Sequence, residues 1–344
     1  MKSILVIRLS SMGDVLLTIP VIRGVLSSNP GLVMTLVTRS IFAPYFDGID
    51  RLSLIPFEPE GRHRGLAGLY TLIREIRRHS FRSVIDLHGI IRTWIIDGIL
   101  MLSGHRIYRV GKHRSLRRKI VKGRQLDLRV PHTVDRYLAV FEKAGFTGHI
   151  SGDAFPAPAG ETKIPGDART VLRIGIAPVS KHETKNWGIQ RVRDLMHLVS
   201  ETYHAEFHLF GGPSDRPVLE TLSGSTVVNH AGMNDPQGEM ALIRNLDLFI
   251  TMDSANMHLA SLLGIPTISV WGATDPRLGF APLNQPDENA IYADPGDVYC
   301  RPCSVYGEIP CKRTDAPMIC METITPDMVL NKISKILPVS GNKF

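Results

Sequence analysis

The sequence predicts an α/β protein built from two doubly wound parallel-sheet domains in tandem. Three observations predict it. At 344 residues the chain is longer than one ordinary hydrophobic core organises. Short apolar runs alternate with amphipathic stretches, which implies right-handed crossovers and parallel strands. That alternation stops once, over residues 148–170, where Gly, Pro and Ala dominate, and then restarts.

In the first half, runs rich in Val, Ile and Leu give strands at 3–8, 34–38, 51–55, 83–87 and 106–110. Apolar residues at three- and four-residue spacing between them give helices at 13–26, 66–79 and 90–102, with a closing helix at 132–144. In the second half the strands fall at 171–176, 205–210, 226–229, 248–252 and 267–271. Helices fit 190–201, 217–222, 239–245 and 256–263, and 326–337 forms a final amphipathic helix. The expected organisation is a first domain over 1–155, a linker over 156–170 and a second domain over 171–325. The terminal segment 326–344 is expected to return to the first domain. Open parallel sheets bind ligands outside the carboxyl ends of their strands, so chemistry is sought in the loops that follow each strand, around an interdomain cleft.

Composition removes several classes. A hydrophobic fraction of 43% with 21% charged residues is that of a globular protein. The longest apolar stretch, residues 85–104, is interrupted by Asp86, His88, Arg92 and Asp97, so it does not span a membrane. The apolar run that opens the chain stops at Arg8 and meets Asp14, too early for a cleavable export signal, which points to the cytoplasm. No G-x-G-x-x-G follows the first strand, and the chain has no P-loop, no D-x-D and no H-E-x-x-H. Without paired carboxylates to hold a divalent ion, positive charge and backbone amides have to take its place beside a phosphate.

The net charge of +7 is concentrated between residues 106 and 129, where ten Lys and Arg side chains, among them Arg114 and Arg117, face Asp127 alone. A solvated basic loop and a grip on an anionic partner both account for the run. Tyr108 is its one aromatic and it carries no recognisable binding module, which argues against nucleic acid and leaves an anionic membrane surface or a phosphorylated acceptor. The four cysteines, Cys300, Cys303, Cys311 and Cys320, lie in one segment. They read either as a structural zinc knuckle or as reduced thiols packed together.

Five strand-end motifs carry chemistry. Ser10-Ser11-Met12-Gly13-Asp14 leaves the first strand and opens a helix, where Asp14 either complements the helix dipole or acts as a general base. The loop Ala177–Trp187 carries Ser180, Lys181 and Lys185, and a lysine there offsets charge growing on a diphosphate leaving group. Phe210-Gly211-Gly212 leads to Asp215, placed to accept from ribose hydroxyls or to cap a helix. Met252-Asp253-Ser254-Ala255-Asn256 begins a helix whose free amides can hold a diphosphate without metal. Asp253 is placed for sugar hydroxyls, and His258, one turn on, is either functional or a packing residue. Val270–Pro276 supplies a further strand and T-x-P turn.

Together these motifs resemble the heptosyltransferases, glycosyltransferase family 9. The opening Arg8–Val15 with Thr18-Ile19-Pro20, the lysine loop, the double-glycine turn, the D-S-A-x-x-H stretch and the T-x-P turn follow in the family's order along nearly the whole chain. Asp86-Leu87-His88-Gly89 with Arg92 is similar to its D-x-x-G-x-x-R stretch. The resemblance implies a GT-B fold and an inverting, metal-independent transfer of a heptose-like sugar from a nucleotide diphosphate, ADP-heptose foremost, to a lipopolysaccharide core or related envelope glycolipid. It implies Asp14 as base and Lys185, with Lys181 as its competitor, at the diphosphate. Ser180, Asp215, Asp253, Ser254, Ala255, Asn256 and His258 would bind the donor. On the acceptor side, position suggests Ser11, Arg62, Arg64, His88, Arg92, Arg114 and Arg117. No cofactor is required in this reading, and the enzyme would work in the cytoplasm or at the inner face of the cytoplasmic membrane. A transferase for another nucleotide sugar, a nucleotide-sugar epimerase of the same fold and a non-enzymatic envelope or nucleic-acid binder that uses the basic run are the rivals.

Overall fold

The computed structural model describes residues 2–152, 154–155 and 171–338. The expected linker at 156–170 and the last six residues lie outside them. Two compact units emerge: Met1–His113 with Pro131–Ala154, and Arg114–Val130 with Phe155–Phe344.

The first unit runs β1 (Lys2–Ile7), α1 (Met12–Leu16), α2 (Ile19–Ser28), β2 (Leu32–Arg39), β3 (Leu52–Phe57), α3 (Gly65–Ile76), β4 (Ser83–Asp86), α4 (Ile91–Leu102) and β5 (Arg106–Arg109). Then α5 (Arg114–Val121) departs to the second unit, and α6 (Thr133–Lys143) returns to the first. The sheet is parallel throughout in the order β3-β2-β1-β4-β5. Ile4 to Ile7 are buried completely or nearly so, because helices cover both faces of the sheet. On one face α3 and α4 bury Leu69, Leu72, Ile73, Ile76, Ile96 and Leu100 against Leu5, Ile7, Val37 and Val84. The helix expected over 13–26 is two helices. Pro20 has no N–H to give an unbroken ladder, and Thr18 Oγ1 donates to Val15 O at 2.7 Å across the break.

The second unit runs β6 (Leu172–Ala177), α7 (Ile189–Thr202), β7 (Ala205–Leu209), α8 (Arg216–Glu220), β8 (Val227–Asn229), α9 (Pro236–Arg244), β9 (Leu248–Met252), α10 (Ala255–Leu262), β10 (Thr267–Trp271), β11 (Ala290–Tyr292), α11 (Ile319–Glu322) and α12 (Pro326–Ile336). Its sheet is also parallel, in the order β11-β10-β9-β6-β7-β8. Each sheet therefore reverses its strand order once, between β1 and β4 in the first and between β6 and β9 in the second. Such switch points open a crevice at the strand carboxyl ends.

Two expectations about organisation are corrected. Helix α12 packs on the second unit, where Val329 and Ile333, one turn apart, join Val192, Leu195 and Val199 of α7 in the core. Tyr203 Oη also donates to Leu337 O at 3.0 Å. The basic segment around α5 likewise belongs to the second unit. Ile120 and Val130 pack with Leu278, and Arg277 Nη1 donates to Leu126 O at 2.9 Å. Among the described residues no helix is long and apolar enough to cross a membrane.

Candidate active site

In the first unit the loops after β1 and β4 carry one connected set of polar groups. Ser11 precedes α1 in extended backbone, and Asp14 falls in the first turn of that helix. Ser11 Oγ donates to Asp14 Oδ2 at 2.9 Å, and Arg8 Nη2 lies 2.5 Å from the same oxygen. Tyr137 Oη, reaching across from α6, donates to Asp14 Oδ1 at 3.5 Å. The Arg8 guanidinium also donates to Leu87 O at 2.6 Å and lies over the Tyr137 ring, so one buried cation ties both strand ends to the carboxylate. The Asp14 side chain keeps 25% of its exposure, enough for a ligand to reach it.

His88 joins the same set of groups. Leu9 N–H donates to its Nδ1 at 3.4 Å. Burial first, then the Arg8 charge, pushes its pKa down to about 3, so the ring is neutral near pH 7 and its hydrogen resides on Nε2. Asp86 fixes this turn by accepting from His88 N at 2.8 Å, Gly89 N at 2.9 Å and Thr93 Oγ1 at 2.8 Å. Gly89 takes a φ of 61°, which suits glycine. Arg92 lies over the Phe57 ring at 5.1 Å. Arg62 is near Glu58 (3.6 Å) and Glu75 (3.7 Å), and Arg64 is exposed just before α3.

In the second unit the loops after β6, β9 and β10 converge on Asp253. Lys185 Nζ lies 2.9 Å from Asp253 Oδ2 and donates to Asp253 O at 3.2 Å, while Thr274 Oγ1 donates to Oδ2 at 2.8 Å. Ser254 is extended and Ala255 opens α10, so the amides of Ala255, Asn256 and Met257 have no carbonyl a turn behind them. This arrangement can receive an anion: an ammonium, a helix start and a hydroxyl sit at adjacent strand ends. Lys181 is exposed, and Lys185 is the lysine paired with Asp253.

Several expected residues are also engaged within the fold. Asp215 Oδ2 accepts from Gly212 N at 2.8 Å and closes the turn after β7. Ser180 N–H donates to Asn186 Oδ1 at 2.7 Å, shaping the lysine loop. His258 is buried within α10. Arg117, expected to grip an acceptor phosphate, is buried in the second unit. It donates to Tyr306 Oη at 2.8 Å and to Leu278 O at 3.3 Å and lies over the Phe280 ring. Arg114, three residues earlier on α5, is exposed. All four cysteines are free thiols. Burial raises the Cys303 pKa and pushes that of Cys320 up to about 11. Among the described residues no group of three or more His, Cys, Asp or Glu is arranged to hold a metal ion, so the zinc expectation gains no support from the structure.

Sequence reasoning missed Tyr137, the Arg8 bridge and the buried network that supports Thr274. In that network Asp275 is held by Arg277 (2.7 Å) and Arg301 (3.2 Å), the latter also donating to Thr274 O at 3.0 Å. Arg8 and the T-x-P turn were visible as motif residues. Tyr137 lies 123 positions from Asp14, and no local pattern announces it.

Comparison with known proteins shows the family. The family model described as glycosyltransferase family 9 (heptosyltransferase) matches residues 69–306. The lipopolysaccharide core heptosyltransferase OpsX of Haemophilus influenzae is 24% identical over 302 residues, covering 83% of each chain. The structure of E. coli heptosyltransferase WaaC with ADP aligns with a TM-score of 0.69 at 18% identity over 97% of this chain and 99% of that one. A family 9 glycosyl transferase from Veillonella parvula aligns with a TM-score of 0.71 at 20% identity, covering 98% and 97%. With two all-parallel α/β units of the GT-B plan and a family match over more than half its length, the chain belongs to glycosyltransferase family 9, the heptosyltransferases, and is a glycosyl-transferring enzyme.

Proposed function

We propose that the enzyme transfers a heptose from a nucleotide diphosphate, ADP-heptose foremost, to the lipopolysaccharide core, with inversion and without a metal ion. The observation that carries this reading is the ion pair of Lys185 and Asp253 at the start of α10. A departing diphosphate needs positive charge and free amides where its own charge grows, and this turn supplies both from preorganised groups. The relatives named lipopolysaccharide heptosyltransferases support the sugar and the acceptor class, and the related structure containing ADP supports the nucleotide.

In the proposed reaction an acceptor hydroxyl attacks the anomeric carbon as the bond to the diphosphate oxygen breaks. Asp14 takes the hydroxyl proton, and Lys185, Thr274 and the α10 amides receive the leaving diphosphate. Arg8 and Ser11 aim the carboxylate, and Tyr137 restrains its other oxygen. Neutral His88, with Arg92, Arg62 and Arg64, lines the acceptor side. The acceptor is a lipid-linked saccharide, so the enzyme would work at the cytoplasmic face of the membrane that carries it.

The test is a transfer assay with ADP-heptose, heptose-deficient lipopolysaccharide core and a chelator. The expected result is acceptor gaining one heptose for each ADP released, undiminished by the chelator. Donor consumed equally without acceptor, or transfer from a different nucleotide sugar only, would overturn the assignment.

A further inference from the structure

Helix α4 lies on the outside of the first unit and turns a row of large apolar side chains to solvent. Its inner rows, Thr93, Ile96, Asp97 and Leu100, are buried. Its outer rows carry Ile91 (72% exposed), Trp94 (46%), Ile95, Met101 and Leu102 (89%). A surface helix ordinarily turns its polar residues outward, and α4 does the reverse. Beside it α3 exposes Leu66 and Tyr70, and Arg77 Nη2 donates to Ser103 Oγ, which joins the two helix ends. Solvent-facing apolar side chains grouped in this way mark an interaction surface.

Charge in the same stretch of chain points to its partner. Between residues 61 and 113 the chain has ten cations, nine Arg and Lys112, against Glu75, Asp86 and Asp97. Asp86 and Asp97 are fully buried, Asp97 being engaged by Arg109, and Glu75 lies beside Arg62 and His63. Arg74, Arg77, Arg78, Arg82 and Arg106 are exposed with no exposed acid in this stretch to offset them. Trp, Ile, Leu and Met flanked by arginines suit a bilayer, where rings and aliphatic chains enter the headgroup boundary while guanidinium groups meet lipid phosphates.

We propose that the outer face of α4, extended by Leu66 and Tyr70 of α3, docks the protein on an anionic lipid bilayer. This surface is independent of the catalytic assignment, because none of its apolar residues belongs to the site. It does have a consequence for it: α4 begins two residues after Gly89, so the docked face leads to the β4 strand end that carries His88.

The test uses the full-length protein with vesicles of phosphatidylcholine alone or mixed with phosphatidylglycerol. Of the three tryptophans, Trp187 and Trp271 are buried, so a change in emission reports Trp94. The expected result is co-sedimentation with the anionic vesicles, lost at high salt, with Trp94 emission shifted to the blue and quenched by brominated acyl chains. Trp94→Ser combined with Leu102→Ser should weaken partitioning by about tenfold or more, given the apolar area lost, with the melting temperature and ADP affinity unchanged. Arg74→Ser with Arg78→Ser should weaken it less and flatten its salt dependence. Absence of binding to anionic vesicles, unchanged binding by the Trp94/Leu102 variant, or a dimer in solution that this variant abolishes would overturn the proposal; the dimer would make the patch a protein interface.

Discussion

Asp14 and Asp253 occupy comparable places in their two sheets and are held differently. Each stands beyond the carboxyl end of a strand at a switch point, against a cation and a hydroxyl. Asp14 has 25% of its side chain exposed and begins a helix, while Asp253 has 10% exposed and is gripped by Lys185 and Thr274. Its cation differs too. Arg8 is buried and bound to the backbone of the next strand end, whereas Lys185 is a compact point charge on a flexible stem. The more accessible carboxylate with the fixed cation is suited to taking a proton from a substrate. The locked carboxylate is suited to holding the Lys185 ammonium ready for a diphosphate. In the proposed division of labour, one turn performs acid–base chemistry and the other stabilises the leaving group.

The largest effect is expected from Asp14→Asn, which keeps the shape of the turn and removes the base. Turnover should fall by about 10³-fold, within the usual range for a general base, in a single-turnover transfer assay. Retention of most of the activity would break the contrast between the two carboxylates. Lys185→Ala should lower turnover by about 10²-fold, as loss of one preorganised charge at a leaving group does. A leaving nucleotide of higher acidity should recover part of that loss, and equal loss with every donor would argue against the role.

His88→Gln sharpens the account of the first site. The folded protein holds this ring's pKa near 3 against an ordinary 6.5. As pH falls through 6.5 the unfolded chain therefore binds more protons than the folded one, and stability declines toward pH 3. Denaturant titrations at several pH values should show that slope reduced in the variant, by on the order of a few kcal/mol across the window. An unaltered slope would place the acid sensitivity elsewhere. Arg117→Met should have the smallest effect on catalysis. It should lower the stability of the second unit by about 1–3 kcal/mol, through loss of charge-assisted bonds, and leave the acceptor KM unchanged. A raised acceptor KM would restore Arg117 to the acceptor side.

Much of this was legible in the sequence, for local reasons. Buried parallel strands are continuous apolar runs, so the ten expected strands are all present with ends shifted by only a few residues, whereas β11, three residues at a sheet edge, gave too short a signal. The candidate groups were legible because the open α/β plan sends ligands to strand ends, where Asp14, Lys185 and Asp253 stand. What was not legible depended on long-range packing. Arg117 looks like its neighbours in a basic run, and only the meeting of α5 with Phe280 and Tyr306 buries it. The same holds for α12, whose apolar row fits α7, and for Tyr137, brought to Asp14 by the packing of α6.

The division of labour is tested most directly by ADP affinity, measured calorimetrically for wild type, Asp14→Asn and Lys185→Ala. The account predicts that Asp14→Asn binds ADP within about twofold of wild type, having lost only an interaction made in the transition state, while Lys185→Ala binds at least about tenfold more weakly. Comparable weakening by Asp14→Asn, or unchanged affinity in Lys185→Ala, would contradict it.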